Sequence, residues 1–308
     1  MKPQSIHARE AGLSLIEMMV TLVIGALLII GVVAMFSQTR STYRTNDTVA
    51  RMQENARFIL SQMEPDLRMT GSWGMQNSGP NVEVPAGITV TCPDGSDISA
   101  WLLNNLEPVT ASNSAYTLPC TPPATAPYLA GTDVLVVRHA SGAPTVLAAG
   151  VVQIQSDRSA SRVFNDGTGP GGCCTFNWQT NAYYISSASS LGANVPALRR
   201  KTLVGSIWQD EELVAGVENL QVQLGVDTDA DGVVDRYVDP DNALVNPLAF
   251  PARIIAVQLW LMMRADATDG SFSDAETYNF ADVAGYAPAD QFRRQLVSKT
   301  IMLRNMRN

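Results

Sequence analysis

Histidine is nearly missing from this chain: His7 and His139 are the only two in 308 residues. A Ser-His-Asp arrangement therefore has little to draw on, and four cysteines at unsuitable spacing with so few histidines do not make a zinc site. Basic residues are also scarce. Lys and Arg total 21 against 29 Asp and Glu, leaving a net charge of -8 and a pI near 4.8, whereas phosphate neutralisation needs clustered cations. Nucleic acid is not an expected partner. The glycine-rich stretch at 167–172 is not followed by Lys-Ser or Lys-Thr, so it is no phosphate cradle. No internal repeat is visible, and an enzyme is not expected. What remains is a chain with 46% hydrophobic residues, enough for a real core in one large or two ordinary domains.

Long apolar runs are lacking too, with one exception. Residues 13–36 carry a single charge, Glu17, and are otherwise apolar, small or hydroxylic. As a helix the run is about 36 Å long, enough to cross a hydrocarbon core of about 30 Å. A conventional signal peptide does not fit, because no A-x-A-like site closes the run. Lys2 and Arg9 before it face Arg40, Arg44 and Arg51 after it, so basic-residue counting does not orient the span. An uncleaved signal anchor is the plain alternative.

The stretch Gly12-Leu13-Ser14-Leu15-Ile16-Glu17 resembles the prepilin cleavage signature of type IV pilins. The resemblance implies a leader of residues 1–12, a cut after Gly12 by the prepilin peptidase, and methylation of the new amine on Leu13, where the family commonly has Phe. The physics of Glu17 agrees. A carboxylate at membrane depth costs roughly 2.5 to 3.5 kcal/mol, and the helix N-terminus returns only about 0.3 to 1 kcal/mol. The family assigns this Glu to the α-amine of a neighbouring subunit, which would provide the missing charge.

Beyond the span, Val49, Met52, Ala56, Ile59, Leu60, Met63 and Leu67 recur at spacings of three and four, with Gln53, Glu54, Arg57 and Gln62 elsewhere. That is one amphipathic face. Residues 13–69 are thus expected to form an assembly helix of about 80 Å, with Pro65 ending or kinking it near Met63 and Glu64 and Gly71 as a stop. From residue 70 to 308 short β-prone runs take over, clearest at 133–139, 182–187, 217–226, 253–264 and 292–303. In the third of these Leu220, Val222, Leu224 and Val226 alternate with polar residues, as a half-buried strand requires. The stretches 121–127 and 167–172 read as loops. The fold class is α+β: a long N-terminal helix, membrane-spanning in its first half, followed by a mainly antiparallel β-sheet domain.

Asp133-Val134-Leu135-Val136-Val137-Arg138, Pro196-Ala197-Leu198-Arg199-Arg200, and Arg293-Arg294-Gln295-Leu296 through Leu303-Arg304-Asn305 are similar to the PilW family of minor pilins, relatives of the J-type pseudopilins of type II secretion. The resemblance implies a protein of the inner membrane whose C-terminal domain lies in the periplasm and then in the pilus. It would work with other minor pilins, the major pilin and the inner-membrane assembly platform, priming fibre assembly near the tip. A secretion pseudopilin and a tip adhesin are the rival roles.

Cys92, Cys120, Cys173 and Cys174 are expected to meet an oxidising periplasm, and four cysteines allow three connectivities. Cys92 with Cys120 is the favoured pair. Cys173 and Cys174 would then form a strained vicinal bridge or stay reduced, and crossed pairing stays open. The sharpest chemical motif is Asp227-Thr228-Asp229-Ala230-Asp231-Gly232-Val233-Val234-Asp235. Alternate carboxylates and a turn glycine suit calcium, with Asp227, Asp229, Asp231, the Val233 carbonyl and Asp235 as ligands. Val238 stands where such a loop has its closing Glu, which leaves that role to Asp239 or Asp241. The alternative is a solvated acidic turn.

Overall fold

The structure is a computed structural model, and it describes residues 14–171, 173–245 and 253–306. The processing residues Gly12 and Leu13 lie outside the described residues. The chain divides into two compact units, Met1–Ala50 and Arg51–Asn308.

Helix α1, Leu15–Met69, runs unbroken for 55 residues. Its residues in the first unit expose their apolar side chains: Leu22 and Met35 are each 74% exposed and Phe36 70%. The hydroxyls there turn back on the helix, Thr21 to the Met18 carbonyl at 3.0 Å and Thr39 to the Met35 carbonyl at 2.8 Å. They are satisfied without water, as an apolar medium demands.

In the second unit the same helix buries Met52, Ala56, Ile59, Met63 and Leu67, while Gln53, Glu54 and Arg57 stay exposed. Pro65 does not end it. The proline lies in the last turn, where it removes one backbone bond, and the turn is held through side chains. Asp66 accepts from the Tyr183 hydroxyl and from Asn181 Nδ2, each at 2.5 Å. Lys299 Nζ donates to Glu64 Oε2 at 2.5 Å. The chain leaves the helix through Gly71 at φ +75°, where an added Cβ would also fall 2.7 Å from Met306 Sδ.

The strands, in chain order, are β1 (Val82–Glu83), β2 (Val109–Ser112), β3 (Val134–Ala140), β4 (Ala149–Ser156), β5 (Ser161–Asp166), β6 (Cys174–Ser186), β7 (Ala197–Val204), β8 (Ile207–Ala215), β9 (Val217–Asp227), β10 (Arg236–Val238), β11 (Arg253–Arg264), β12 (Tyr278–Phe280), β13 (Val283–Tyr286) and β14 (Arg294–Met302). The first eight form one sheet organised around the long β6, with β7 and β8 continuing from it. A second sheet has the order β10-β9-β11-β14, and β12 with β13 form a ribbon. Every strand pair is antiparallel except the short β1–β5 contact.

In β9 Leu220, Val222, Leu224 and Val226 are buried and the strand pairs with β10 and β11, but it is not half-buried: Gln221 on the other face is buried too, its amide donating to the Gly131 carbonyl at 3.1 Å. The core of the larger sheet is aromatic. Trp73 stacks on Trp178 with centroids 4.5 Å apart, and Trp101 meets Trp208 at 5.1 Å. Such pairs add about 0.5 to 1.5 kcal/mol each beyond their area. Asp133 links the sheets, its carboxylate accepting from the backbone N–H of Ser114 at 2.9 Å and of Val222 at 2.8 Å.

Candidate functional site

Of the residues singled out from sequence, Glu17 belongs to the first unit and the acidic loop and the four cysteines to the second. Glu17 is in the first turn of α1, exposed, with its backbone N–H donating to the Ser14 carbonyl at 3.0 Å. The most apolar 18-residue window of α1 has a mean hydropathy of 2.8 and nothing buried, and it is the one helix among the described residues long and apolar enough to cross a membrane. One acid in an otherwise uncharged surface is an unusual placement, because a lone carboxylate there is unfavourable until a cation meets it.

The acidic loop joins β9 to β10, whose register puts Val226 opposite Arg236. Carboxylate oxygens of Asp227, Asp229 and Asp235 converge to within 4.8 Å of one another. Asp227 is buried, and its two oxygens accept from the N–H groups of Ala230 at 2.7 Å and Gly232 at 2.8 Å. Burial works to raise its pKa, but those backbone donors outweigh it and hold the carboxyl below the usual range. Asp235 is held low as well, by the Thr228 hydroxyl at 2.5 Å and the Thr228 N–H at 2.7 Å. Both are therefore ionised at neutral pH, and oxygen lone pairs remain for a hard cation. Asp231 falls outside the converging group and accepts from the Val233 N–H at 2.7 Å. Asp239 is engaged by Gln223 at 3.0 Å.

Cys92 and Cys120 are joined by a disulfide, with Cα atoms 5.6 Å apart and both residues buried. Closing that 28-residue separation is worth roughly 3 to 4 kcal/mol in the chain-entropy account. Cys173 and Cys174 are free thiols, the first exposed and the second half-buried.

Two charged clusters escaped the sequence reading. The side chain of Arg294 on β14 is 1% exposed and surrounded by acids. It reaches Glu218 at 2.5 and 3.0 Å, Asp290 at 2.6 and 2.7 Å, and Asp274 at 3.1 Å. On the larger sheet Arg199 and Lys201 converge on Asp210 at 2.6 and 3.2 Å, with the Tyr184 hydroxyl donating to the same carboxylate at 2.5 Å. His139 sits in β3, buried, with Nδ1 2.8 Å from the Ala140 carbonyl and Nε2 3.6 Å from Asp66. It braces the end of α1 against the sheet.

Residues 182–305 match the family model described as Type IV Pilus-assembly protein W, and residues 7–33 match the prokaryotic N-terminal methylation motif. Among solved structures, a type IV-like pilin from Thermus thermophilus aligns at 14% identity over 61% of this chain and 83% of that one, with a TM-score of 0.29. No curated protein matches the chain. The C-terminal match takes in β7 to β14 with the end of β6, and the N-terminal match takes in the first turns of α1 and Glu17. With a match to that domain over residues 182–305 and to that motif over residues 7–33, the chain is similar to type IV pilins of the PilW family at both ends.

Proposed function

We propose that this protein is a minor pilin that helps prime and build type IV pili and sits near the fibre tip. The observation that carries the reading is the exposed apolar half of α1 with Glu17 in its first turn, on a chain that ends in a PilW domain. In this reading prepilin peptidase cuts after Gly12 and methylates Leu13, and the inner membrane holds the helix while the β-domain stands in the periplasm. The assembly platform then moves the chain into a bundle with other minor pilins and the major pilin. The role is structural, not enzymatic. Cells lacking the chain should show a severe loss of surface fibres by electron microscopy, restored when it is resupplied. Fibre numbers unchanged by its loss would refute the priming role.

The second half of the proposal concerns the loop between β9 and β10. Asp227, Asp229 and Asp235 would hold a calcium ion, whose contribution is to neutralise converging carboxylates and fix the hairpin. A site filled at about 100 times its dissociation constant adds roughly 2.7 kcal/mol, or roughly 5 to 10 °C in the melting temperature of a domain this size. Melting of the detergent-solubilised chain in calcium and in chelator tests this, and coincident transitions would remove the ion from the account.

A further inference from the structure

The crossover between β5 and β6 ends in two adjacent thiols. Both strands run antiparallel to β4 on its two sides, so the connecting segment must pass back across β4. It is built for a tight path. Gly167, Gly169 and Gly171 all have positive φ, and a Cβ on Gly167 would meet the Ala149 nitrogen at 2.6 Å. The Gly171 N–H donates to Gln155 Oε1 on β4 at 2.9 Å. At the end of this path Cys173 is exposed, and Cys174 is half-buried where it opens β6 and pairs with Ser156.

We propose that Cys173 and Cys174 form a reversible redox site that closes to a vicinal disulfide, distinct from the permanent Cys92–Cys120 bridge. The other two cysteines are already joined and buried at 2% and 1% exposure, so Cys173 and Cys174 have each other as the partner within the chain. Their roles differ. Cys173 is accessible to an incoming disulfide, whereas the Cys174 thiol is less exposed and its pKa is pushed up by the Cys173 side chain beside it. The Cys173 thiolate attacks an acceptor disulfide, oxidised glutathione or that of a thiol oxidase, giving a mixed disulfide and releasing one thiol. The Cys174 thiolate then attacks the Cys173 sulfur and expels the second thiol. One S–S bond forms in the chain and one is lost from the acceptor. The chain gives up two electrons and two protons, and the acceptor leaves as two thiols. Closure is intramolecular across a single peptide unit, but the small ring includes that peptide and is strained, so it reopens more readily than an unstrained bridge.

That an oxidant is present rests on the periplasmic placement proposed above, but the exchange itself can be tested without it. Full-length chain in detergent is equilibrated in graded reduced and oxidised glutathione, alkylated, and mapped by peptide mass. The expected result is a peptide lighter by two hydrogens, with Cys173 and Cys174 joined and no retained glutathione, appearing at ratios where Cys92–Cys120 is already closed. Cys174→Ser should instead hold a stable glutathione adduct on Cys173. Two thiols that stay alkylatable at every ratio, a wild-type chain that keeps glutathione on either residue, or opening of Cys92–Cys120 before this pair would each overturn the inference.

Discussion

Glu17→Val should leave the chain in the membrane and remove it from sheared fibres, with incorporation falling more than about a hundredfold. The first half follows from the cost of the native residue: taking a carboxylate out of an apolar segment relieves roughly 2.5 to 3.5 kcal/mol, so insertion is not impaired. The second half follows from what the carboxylate is proposed to meet. Breaking a buried ion pair by deleting one partner costs roughly 3 to 5 kcal/mol because the other charge is stranded, and each 1.4 kcal/mol is about tenfold in an equilibrium. The exposed surface of this part of α1, where Leu15 to Phe36 offer no other charge, leaves nothing to substitute for Glu17. Immunoblots of membrane and sheared-fibre fractions separate the two effects. A valine variant recovered in fibres at the wild-type level would end the pairing argument.

The largest effect on folding is expected at Arg294. Its side chain is 1% exposed and joins Glu218 on β9 to Asp274 and Asp290 in the excursion between β11 and β14. Asp274 is itself 1% exposed. Arg294→Ala opens a cavity and strands the buried Asp274, while Glu218 keeps Arg264 at 3.5 Å and Asp290 is partly exposed; one uncompensated buried charge costs roughly 3 to 5 kcal/mol. For a unit of this size that is roughly 6 to 20 °C in melting temperature. Arg294→Lys should recover only part, since an ammonium cannot make the paired contacts to Glu218 and Asp290. Loss of under about 1 kcal/mol on denaturant unfolding of the alanine variant would contradict this.

The same cluster fixes a sign for acid. Hydrogen bonding to Arg294 lowers the Asp290 carboxyl from 3.8 to about 2. A carboxyl lowered on folding stabilises above its unfolded value, so this contribution is present above about pH 4 and is lost as pH falls towards about 2. Arg294→Ala should flatten that limb of the stability curve.

The elements that were legible in the sequence are those with a strong period. The face of α1 from Met52 to Leu67 and the apolar positions of β9 are patterns that burial alone explains, and both are in place. β11 spans the residues expected of it, Arg253–Arg264, because an apolar run broken only by Gln258 between polar flanks leaves little choice. β6 was seen only at its C-terminal end. Its first residues, Cys174 to Asn181, mix polar and aromatic side chains, and they are strand because β4 pairs with Cys174 to Asn177 and β3 with Trp178 to Asn181, which is tertiary information. Pro65 does not end the helix for a related reason: propensity sees the missing donor, not the Tyr183 and Asn181 contacts that hold the turn. The Arg294 cluster could not be read at all, since Glu218 is 76 residues away in sequence.

The mass of the mature N-terminus tests the central claim most directly. Chain purified from cells making fibres should begin at residue 13, with one methyl group on the α-amine of Leu13. An N-terminal peptide that still carries residues 1–12, in cells with normal fibres, would contradict the account.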